Sequence, residues 1–341
     1  METTALFDYY KTYIYYLKLL LSINDKIVFV IGFSVSILLM YICQTIKMEE
    51  FKKYKKIIFL FAVTDIFYNT AQVLNQHAYE QANRYAFFII HGPALYFNKN
   101  IMLISVLSEI EFAMVELANN LVAFFYRYLL IVNHCLTTYQ FLFLILLNIL
   151  WNSILCIFMF TEAKRISNAE IVTNKQLLLP EFFIGTNQES LNYFVLINPN
   201  SIFSYLGLLV LGCTTTIIFI GISITFVKIQ KKLKENMNMT SEKTKKLQNQ
   251  LTLVMVVHVI TPLLLMGLPV TFILASLALN IDTNSYGYGH ILFMIMVWPN
   301  VVNPLCSIFL IGPCYKKFCL IFHIRSSKQT PTTKLTQTKM G

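Results

Sequence analysis

Five side chains able to carry charge stand where the sequence surrounds them with hydrocarbon. Asp65 lies in the apolar run Ile57–Gln76, and Glu109, Glu111, Glu116 and Arg127 lie in the weaker run from Ile101 to Ile131. A charged side chain at the centre of a bilayer costs roughly 2.5–3.5 kcal/mol on insertion scales, so such residues face the interior of a helix bundle or water. Their spacing says which. Glu109, Ala113, Glu116, Asn120, Ala123 and Arg127 follow one another at steps of four or three, which places them on a single helical stripe of small and polar residues. The opposite side, Ile110, Met114, Leu117, Leu121 and Phe124, suits lipid or apolar packing, and Glu111 falls off the stripe, nearer the outer surface. The stripe serves either helix packing, with the acids hydrogen-bonded to neighbours, or contact with a ligand. Catalytic chemistry has no foothold. There is no H-E-x-x-H, P-loop or G-x-S-x-G, the His residues stand apart, and the seven Cys form no C-x-x-C pair. No enzyme activity, metal site or cofactor is expected.

The elements that must hold these residues follow from composition. The AVILMFWYC set makes up 56% of the 341 residues and DEKR only 13%, with a mean hydropathy of +0.61. Soluble domains carry about 25% charged residues, so this chain cannot clothe a water-facing surface, and 28 Phe exclude a disordered one. A span needs about 20 mostly apolar residues. Seven such runs exist: Ile27–Ile46, Ile57–Gln76, Ile101–Ile131, Phe141–Phe160, Ile202–Val227, Leu251–Leu279 and Ile291–Ile311. The expected fold is an all-α membrane protein, a seven-transmembrane helix bundle covering 26–322. Residues 1–25 form an extracellular N-terminus in which Tyr13–Ile23 is an interfacial helix or an extension of the first span. Residues 323–341 form a disordered cytosolic tail.

Basic residues orient the bundle. With the N-terminus outside, 19 of the 27 Lys and Arg fall on the inner side, in Lys47–Lys56, at Arg127, in Lys228–Lys246 and in the tail. That is the positive-inside pattern. It also accounts for the net charge of +10 without nucleic acid. In the sixth run, Pro262 and Pro269 interrupt the helix beside His258 and Thr261. In the seventh, Pro299 and Pro304 do so within Trp298–Pro304. Each proline removes a backbone donor and bends its helix. Cys314 and Cys319 flank a basic-aromatic segment suited to an interfacial helix, with acylation of either thiol one option.

Several stretches resemble the nematode serpentine chemoreceptors of the Str superfamily, a branch of the G-protein-coupled receptors. Lys53-Tyr54-Lys55-Lys56 through Asp65-Ile66-Phe67-Tyr68 is similar to that group's "YKYL…(E/D)xxYS" pattern, and Phe124-Phe125-Tyr126-Arg127-Tyr128 to its "HFxYRY". Ser241, Thr244, Lys245, Leu247, Gln248 and Gln250-Leu251, followed by Pro262 and Leu268-Pro269, resemble "SxxTxxLQxQL…P…P". Trp298-Pro299 through Asn303-Pro304-Leu305 with Tyr315-Lys316 resembles "YPxxDPL…YR", with Asn303 in place of Asp and Trp298 in place of Tyr. Arg127 corresponds to the arginine of the general receptor "DRY" motif, with Tyr126 where the acid stands. No cysteine is near Asn98–Met102 or within Thr161–Asn200, so the usual disulfide to the second outer loop cannot form. Pro180, Phe182, Phe183, Tyr193 and Phe194 are candidates to order that loop instead.

The resemblance implies a chemosensory receptor in the plasma membrane, in the cilia of sensory neurons, coupled to a heterotrimeric G protein. Its small-molecule ligand would bind in the outer half of the bundle, at Glu109, Ala113, Glu116, Thr261 and Met266. Asp65, Asn120, His258, Pro262, Asn300, Asn303 and Pro304 form the expected polar relay and switch. Tyr126, Arg127, Tyr128, Lys243, Lys245 and Lys246 form the expected G-protein contact. The alternative is a transporter or ligand-gated channel using the same acids as an ion path, against which stands the lack of an inverted repeat.

Overall fold

Long apolar runs fold as helices because, in hydrocarbon, a helix satisfies its own backbone. The computed structural model describes residues 2–82, 85–132, 134, 136–166, 193–235, 242–279, 281 and 287–324, with the side chains of 2–11, 49, 50 and 243 outside that description. The helices are α1 (Glu2–Thr45), the short α2 (Glu49–Lys52), α3 (Lys55–Asn75), α4 (Lys99–Ile131), α5 (Thr138–Arg165) and α6 (Ile202–Glu235). A sixth span runs as α7 (Glu242–Pro262), one π-helical turn (Leu263–Gly267) and α8 (Leu268–Leu279). A seventh is broken into α9 (Tyr288–Met296) and α10 (Pro299–Leu310), followed by α11 (Gly312–Ile321). Among the described residues, six spans are long and apolar enough to cross a membrane by length and composition. The seventh crossing is α4, whose three Glu and Arg lower its hydropathy although its 33 residues reach about 50 Å.

Each boundary has a local cause. Asn98 caps α4 by accepting from the Ile101 N–H at 3.0 Å. Thr137 and Gln140 form a reciprocal capping box at the start of α5. Gln76, at φ 41°, ends α3 in the left-handed region and turns the chain into a strand. Pro262 cannot continue the regular ladder, and the π turn that follows absorbs the mismatch. Pro299 starts α10 after the break at Trp298, whose Nε1–H donates to Asn24 Oδ1 at 3.2 Å, while Asn24 Nδ2 donates to the Met294 carbonyl at 3.2 Å. The break is thereby tied to α1.

Three strands, absent from the all-α expectation, cap one end of the bundle: β1 (His77–Ala82), β2 (Tyr85–Ile90) and β3 (Tyr193–Ile197). They pair antiparallel in the order β1-β2-β3, with Tyr79 opposite Phe88 and Phe88 opposite Phe194. Alternation gives the sheet two apolar faces. Tyr79, Phe88, Phe194 and Leu196 pack with Met102, Leu103, Val106 and Ile273 toward the bundle. Phe87, Ile89, Tyr193 and Val195 pack with Ile14 and Ile166 on the other side. This explains the length of α1. Its 44 residues reach about 66 Å, twice the hydrocarbon thickness of about 30 Å, and Ile14 in the excess turns covers the outer face of the sheet. Tyr13–Ile23 is therefore part of one continuous helix, and not a separate interfacial element. The sheet takes the place expected of loop aromatics. Tyr193 and Phe194 belong to it, and Pro180, Phe182 and Phe183 lie outside the described residues.

A second apolar core holds the opposite end, where Leu39, Phe51, Phe61, Phe124, Ile222, Leu251 and Ile308 meet. Cys314 and Cys319 are buried at 0% and 3% exposure, so neither thiol is presented for acylation. Glu111 also departs from expectation. It lies at the α4–α5 interface, where Ser153 Oγ donates to Oε1 at 3.3 Å and Cys156 Sγ lies 3.3 Å from Oε2.

The sheet leaves no room at its β1 edge, since a Cβ on Gly289 of α9 would overlap the Tyr79 carbonyl, whereas one on Gly212 of α6 meets nothing within 4 Å. Gly289→Val is expected to lower the thermal unfolding midpoint of the detergent-solubilised protein by the equivalent of about 3 kcal/mol. Gly212→Ala should leave it unchanged or raise it slightly.

Candidate functional site

Below the sheet lies a cavity of about 200 Å³. Its roof is Tyr79 and Phe88 of the sheet, with His77. Its walls are Glu109, Ala113, Met114 and Leu117 of α4, Leu155 and Met159 of α5, and Leu208, Leu211 and Thr215 of α6. Pro262, Leu263, Met266, Gly267 and Val270 of the sixth span and Phe293 and Met296 of α9 close it. The lining is apolar except for a few groups, as in small-molecule sites generally.

The principal polar group is Glu109, and its environment is built. Asn75 Nδ2 donates to Oε2 at 2.7 Å, and His77 Nδ1 lies 2.9 Å from the same oxygen. Asn75 is in turn fixed by Ser105, whose Oγ–H donates to Asn75 Oδ1 at 2.7 Å. Oε1 accepts no hydrogen bond among the described residues. The imidazole of His77 is itself held between rings, with centroids 4.4 Å from Phe293 and 5.4 Å from Phe88. Further out, His290 Nδ1 lies 2.9 Å from Glu80 Oε1, and Ser276 Oγ–H donates to Gln81 Oε1 at 2.8 Å, so β1 is pinned to α9 and α8 by polar pairs. Burial, reinforced by the neighbouring His290, holds the His91 imidazole well below its usual range, and it stacks on His290 at 5.4 Å.

Deeper along the same stripe, Glu116 Oε1 accepts from Asn303 Nδ2 at 3.2 Å. His258 Nε2 lies 3.1 Å from the Asn303 carbonyl and 3.0 Å from Ser307 Oγ, with its ring edge-on to Phe61. A Cβ on Gly32 of α1 would meet Asn69 Nδ2 at 2.6 Å and the Asn300 carbonyl at 3.1 Å, so three spans close on one another at a residue with no side chain. Asp65, Asn120, His258, Asn300, Asn303, Pro262 and Pro304 are all buried. Not all of them join the network: Asn120 Nδ2 donates only to α4 carbonyls, Glu116 and Leu117, at 3.3 Å each, and among the described residues Asp65 Oδ1 and both side-chain polar atoms of Asn300 have no hydrogen-bond partner.

At the far end of α4, Arg127 is 1% exposed and holds α7. Its Nη2 donates to the Gln248 carbonyl at 2.8 Å and to Thr252 Oγ1 at 2.5 Å, and Nη1 lies 3.3 Å from Met255 Sδ. Gln248 Nε2 donates to Tyr54 Oη at 2.8 Å, Tyr126 Oη donates to the Lys53 carbonyl at 3.2 Å, and Gln250 Oε1 accepts the Gly312 N–H at 3.0 Å. The motifs that lie far apart in sequence thus meet here.

The description "serpentine type 7TM GPCR chemoreceptor Str" matches residues 21–320. The chain belongs to that family. Among solved structures it resembles the crystal structure of squid rhodopsin, with a TM-score of 0.58 at 12% identity, over 89% of this chain and 84% of that one. This likeness speaks for the seven-helix fold alone. Comparison with curated protein sequences finds no match. This Str-family chain is accordingly a multi-pass membrane protein with a rhodopsin-like architecture.

Set against that fold, the residues singled out in the sequence divide. Glu109, Ala113 and Met266 line the cavity, as does Pro262; Glu116 and Thr261 lie outside its lining. Tyr126 and Arg127 are buried, so neither presents its side chain at the surface in this conformation. Tyr128 is half-buried under Lys228, which sits 5.9 Å from its ring, and Lys245 pairs with Glu242 at 4.0 Å. Lys246 is exposed, and the Lys243 side chain lies outside the described residues. Sequence reasoning missed His77, Tyr79 and Phe88, because they sit on strands in what reads as a loop. The isolated polar cluster Asn75-Gln76-His77 at the end of the second run was the available signal.

Asn75 donates to a buried carboxylate and accepts from Ser105, so Asn75→Leu strands both. The expected cost is about 1–3 kcal/mol of stability, read as a lower unfolding midpoint in micelles, with Ser108→Ala as a neutral control on the same turn.

Proposed function

We propose that the protein is a chemosensory receptor that binds a small environmental molecule in the sheet-capped cavity and activates a heterotrimeric G protein at the Arg127 end. In this reading it works in the plasma membrane of sensory neurons, at their cilia, with the sheet outside and the basic loops in the cytosol. One observation carries the proposal. A single span lines the cavity at Leu263, Met266, Gly267 and Val270, and holds Arg127 at Gln248, Thr252 and Met255. Whatever moves that span at the cavity acts on the grip at its other end.

A ligand shifts the receptor only if it contacts the two arrangements differently. The π turn supplies the deformable element, because it is already off the regular ladder and lies in the cavity wall. Tilting α7 away from α4 would free Arg127 and open a cleft beside Tyr126 and Tyr128, flanked by Lys245 and Lys246, for the G protein. The grip on Arg127 is made of a carbonyl, a hydroxyl and a thioether, with no carboxylate. It opposes opening without a full ion pair to break.

Hydrogen bonds to a charged group contribute about 1.5–3 kcal/mol each, and about 1.4 kcal/mol is a tenfold change in an equilibrium. Thr252→Val is therefore expected to raise ligand-independent nucleotide exchange on the G protein by about tenfold. Arg127→Ala should abolish exchange while surface expression stays close to wild type. A normal agonist response from Arg127→Ala would remove this residue from the mechanism. In the cavity, Glu109→Gln should shift the agonist concentration–response curve by about tenfold or more, and Glu111→Gln, which touches only the α4–α5 interface, should barely move it. Equal shifts would count against Glu109 as a ligand contact.

A further inference from the structure

The cavity is shut toward the sheet. Its roof residues are buried, with Tyr79 at 1%, His77 at 4% and Phe88 at 8% exposure, and the far face of that sheet is covered by Ile14 and Ile166. Two other lining residues are exposed, Leu263 at 42% and Leu274 at 38%. Both belong to the span containing the π turn, and α6 lines the same cavity through Leu208, Leu211 and Thr215. At these two residues the wall between the cavity and the outer surface of the bundle is one side chain thick.

We propose that the cavity is loaded from within the bilayer, through a portal between α6 and the π-containing sixth span, by a neutral apolar molecule carrying one hydrogen-bond donor for Glu109. The proposal rests on the cavity being the receptor's ligand site. Neutrality follows from the route, since a charged group enters hydrocarbon only at a heavy cost. Size follows from volume. A dry apolar cavity of about 150 Å³ takes benzene, so 200 Å³ suits a compound somewhat larger than benzene. The donor follows from Glu109. Its Oε2 already accepts from Asn75 and lies against the His77 ring, which leaves Oε1 to accept from the ligand. A hydroxyl or N–H serves.

The test uses the full chain in phosphatidylcholine proteoliposomes. Thr215→Cys places a thiol on the cavity wall in a side chain of nearly the same size. Its labelling, counted above the wild-type background by mass spectrometry, is compared for N-phenylmaleimide, which dissolves in the bilayer, and its para-sulfonate, which does not. We expect the neutral reagent to react at least about tenfold faster. Adding Leu263→Trp or Leu274→Trp, both at lipid-facing positions that tolerate bulk, should slow it severalfold. Equal rates for the two reagents, no labelling by either, or indifference to both Trp variants would overturn the portal. Benzyl alcohol, benzyl methyl ether and toluene then compete for the same thiol. Protection by benzyl alcohol at lower concentration than the other two is expected, and equal protection by all three would overturn the donor requirement. Labelling does not pass through a G protein, so its failure and a failure of receptor signalling are separate results.

Discussion

The cost of placing polar groups in hydrocarbon organises this molecule. α4 carries Glu109, Glu116, Asn119, Asn120 and Arg127 through the middle of the bundle, and every one of them is buried against protein. Once α4 is central, the other spans must supply partners at matching depths. Asn75 and His77 come to Glu109, Asn303 to Glu116, Thr64 and Asn148 to Asn119, and Gln248 and Thr252 to Arg127. The polar stripe is thus a ruler for the assembly. Between helices in a bilayer the ordinary hydrophobic drive is weak, and such contacts together with close packing supply specificity. Gly32 shows the packing side, letting α1 approach Asn69 and the Asn300 carbonyl.

The cap follows a second constraint, that an open sheet edge invites further pairing. β1 is backed by α9, where Gly289 lets the helix meet the Tyr79 backbone and His290 meets Glu80. On the other side, Ile166 at the end of α5 packs against Tyr193 and Val195 of β3. Both faces are apolar and both are covered. The disulfide that the sequence lacks is replaced by strand pairing and packing, at the expense of a first helix twice as long as the membrane requires. The cap also seals the cavity roof, so any access to the cavity is a property of the helices below.

Between cap and basic end, the sixth span carries the irregularity. Pro262 and the π turn lie where the cavity wall is, and the regular part of α7 lies where Arg127 is held. The sixth span is thus a regular helix with an irregular joint at the cavity, and the seventh span has a comparable break at Trp298, anchored to α1 through Asn24. The Arg127 grip differs from an ion pair in a useful way. Neutral acceptors hold a guanidinium less tightly than a carboxylate does.

The sequence by itself determined the bundle, the order of its spans and the inward stripe of α4, because hydrophobic length and helical period are local properties written in consecutive residues. A charge in an apolar run is diagnostic without any partner in view, which is why Glu109, Asp65 and Arg127 stood out. The family motifs were legible as well, though not that Tyr54, Arg127 and Gln248 form one cluster, since that depends on which spans are neighbours. Tertiary structure alone decided the sheet. In β2 and β3 both faces are buried, so Phe87-Phe88-Ile89-Ile90 and Tyr193-Phe194-Val195-Leu196 show no polar alternation to announce a strand. It likewise decided that His77 stands at Glu109 while Glu116 turns away from the cavity toward Asn303, and that Cys314 and Cys319 face inward. Residues on one helical stripe share a direction, but what each meets at its own depth is set by the helices packed against it.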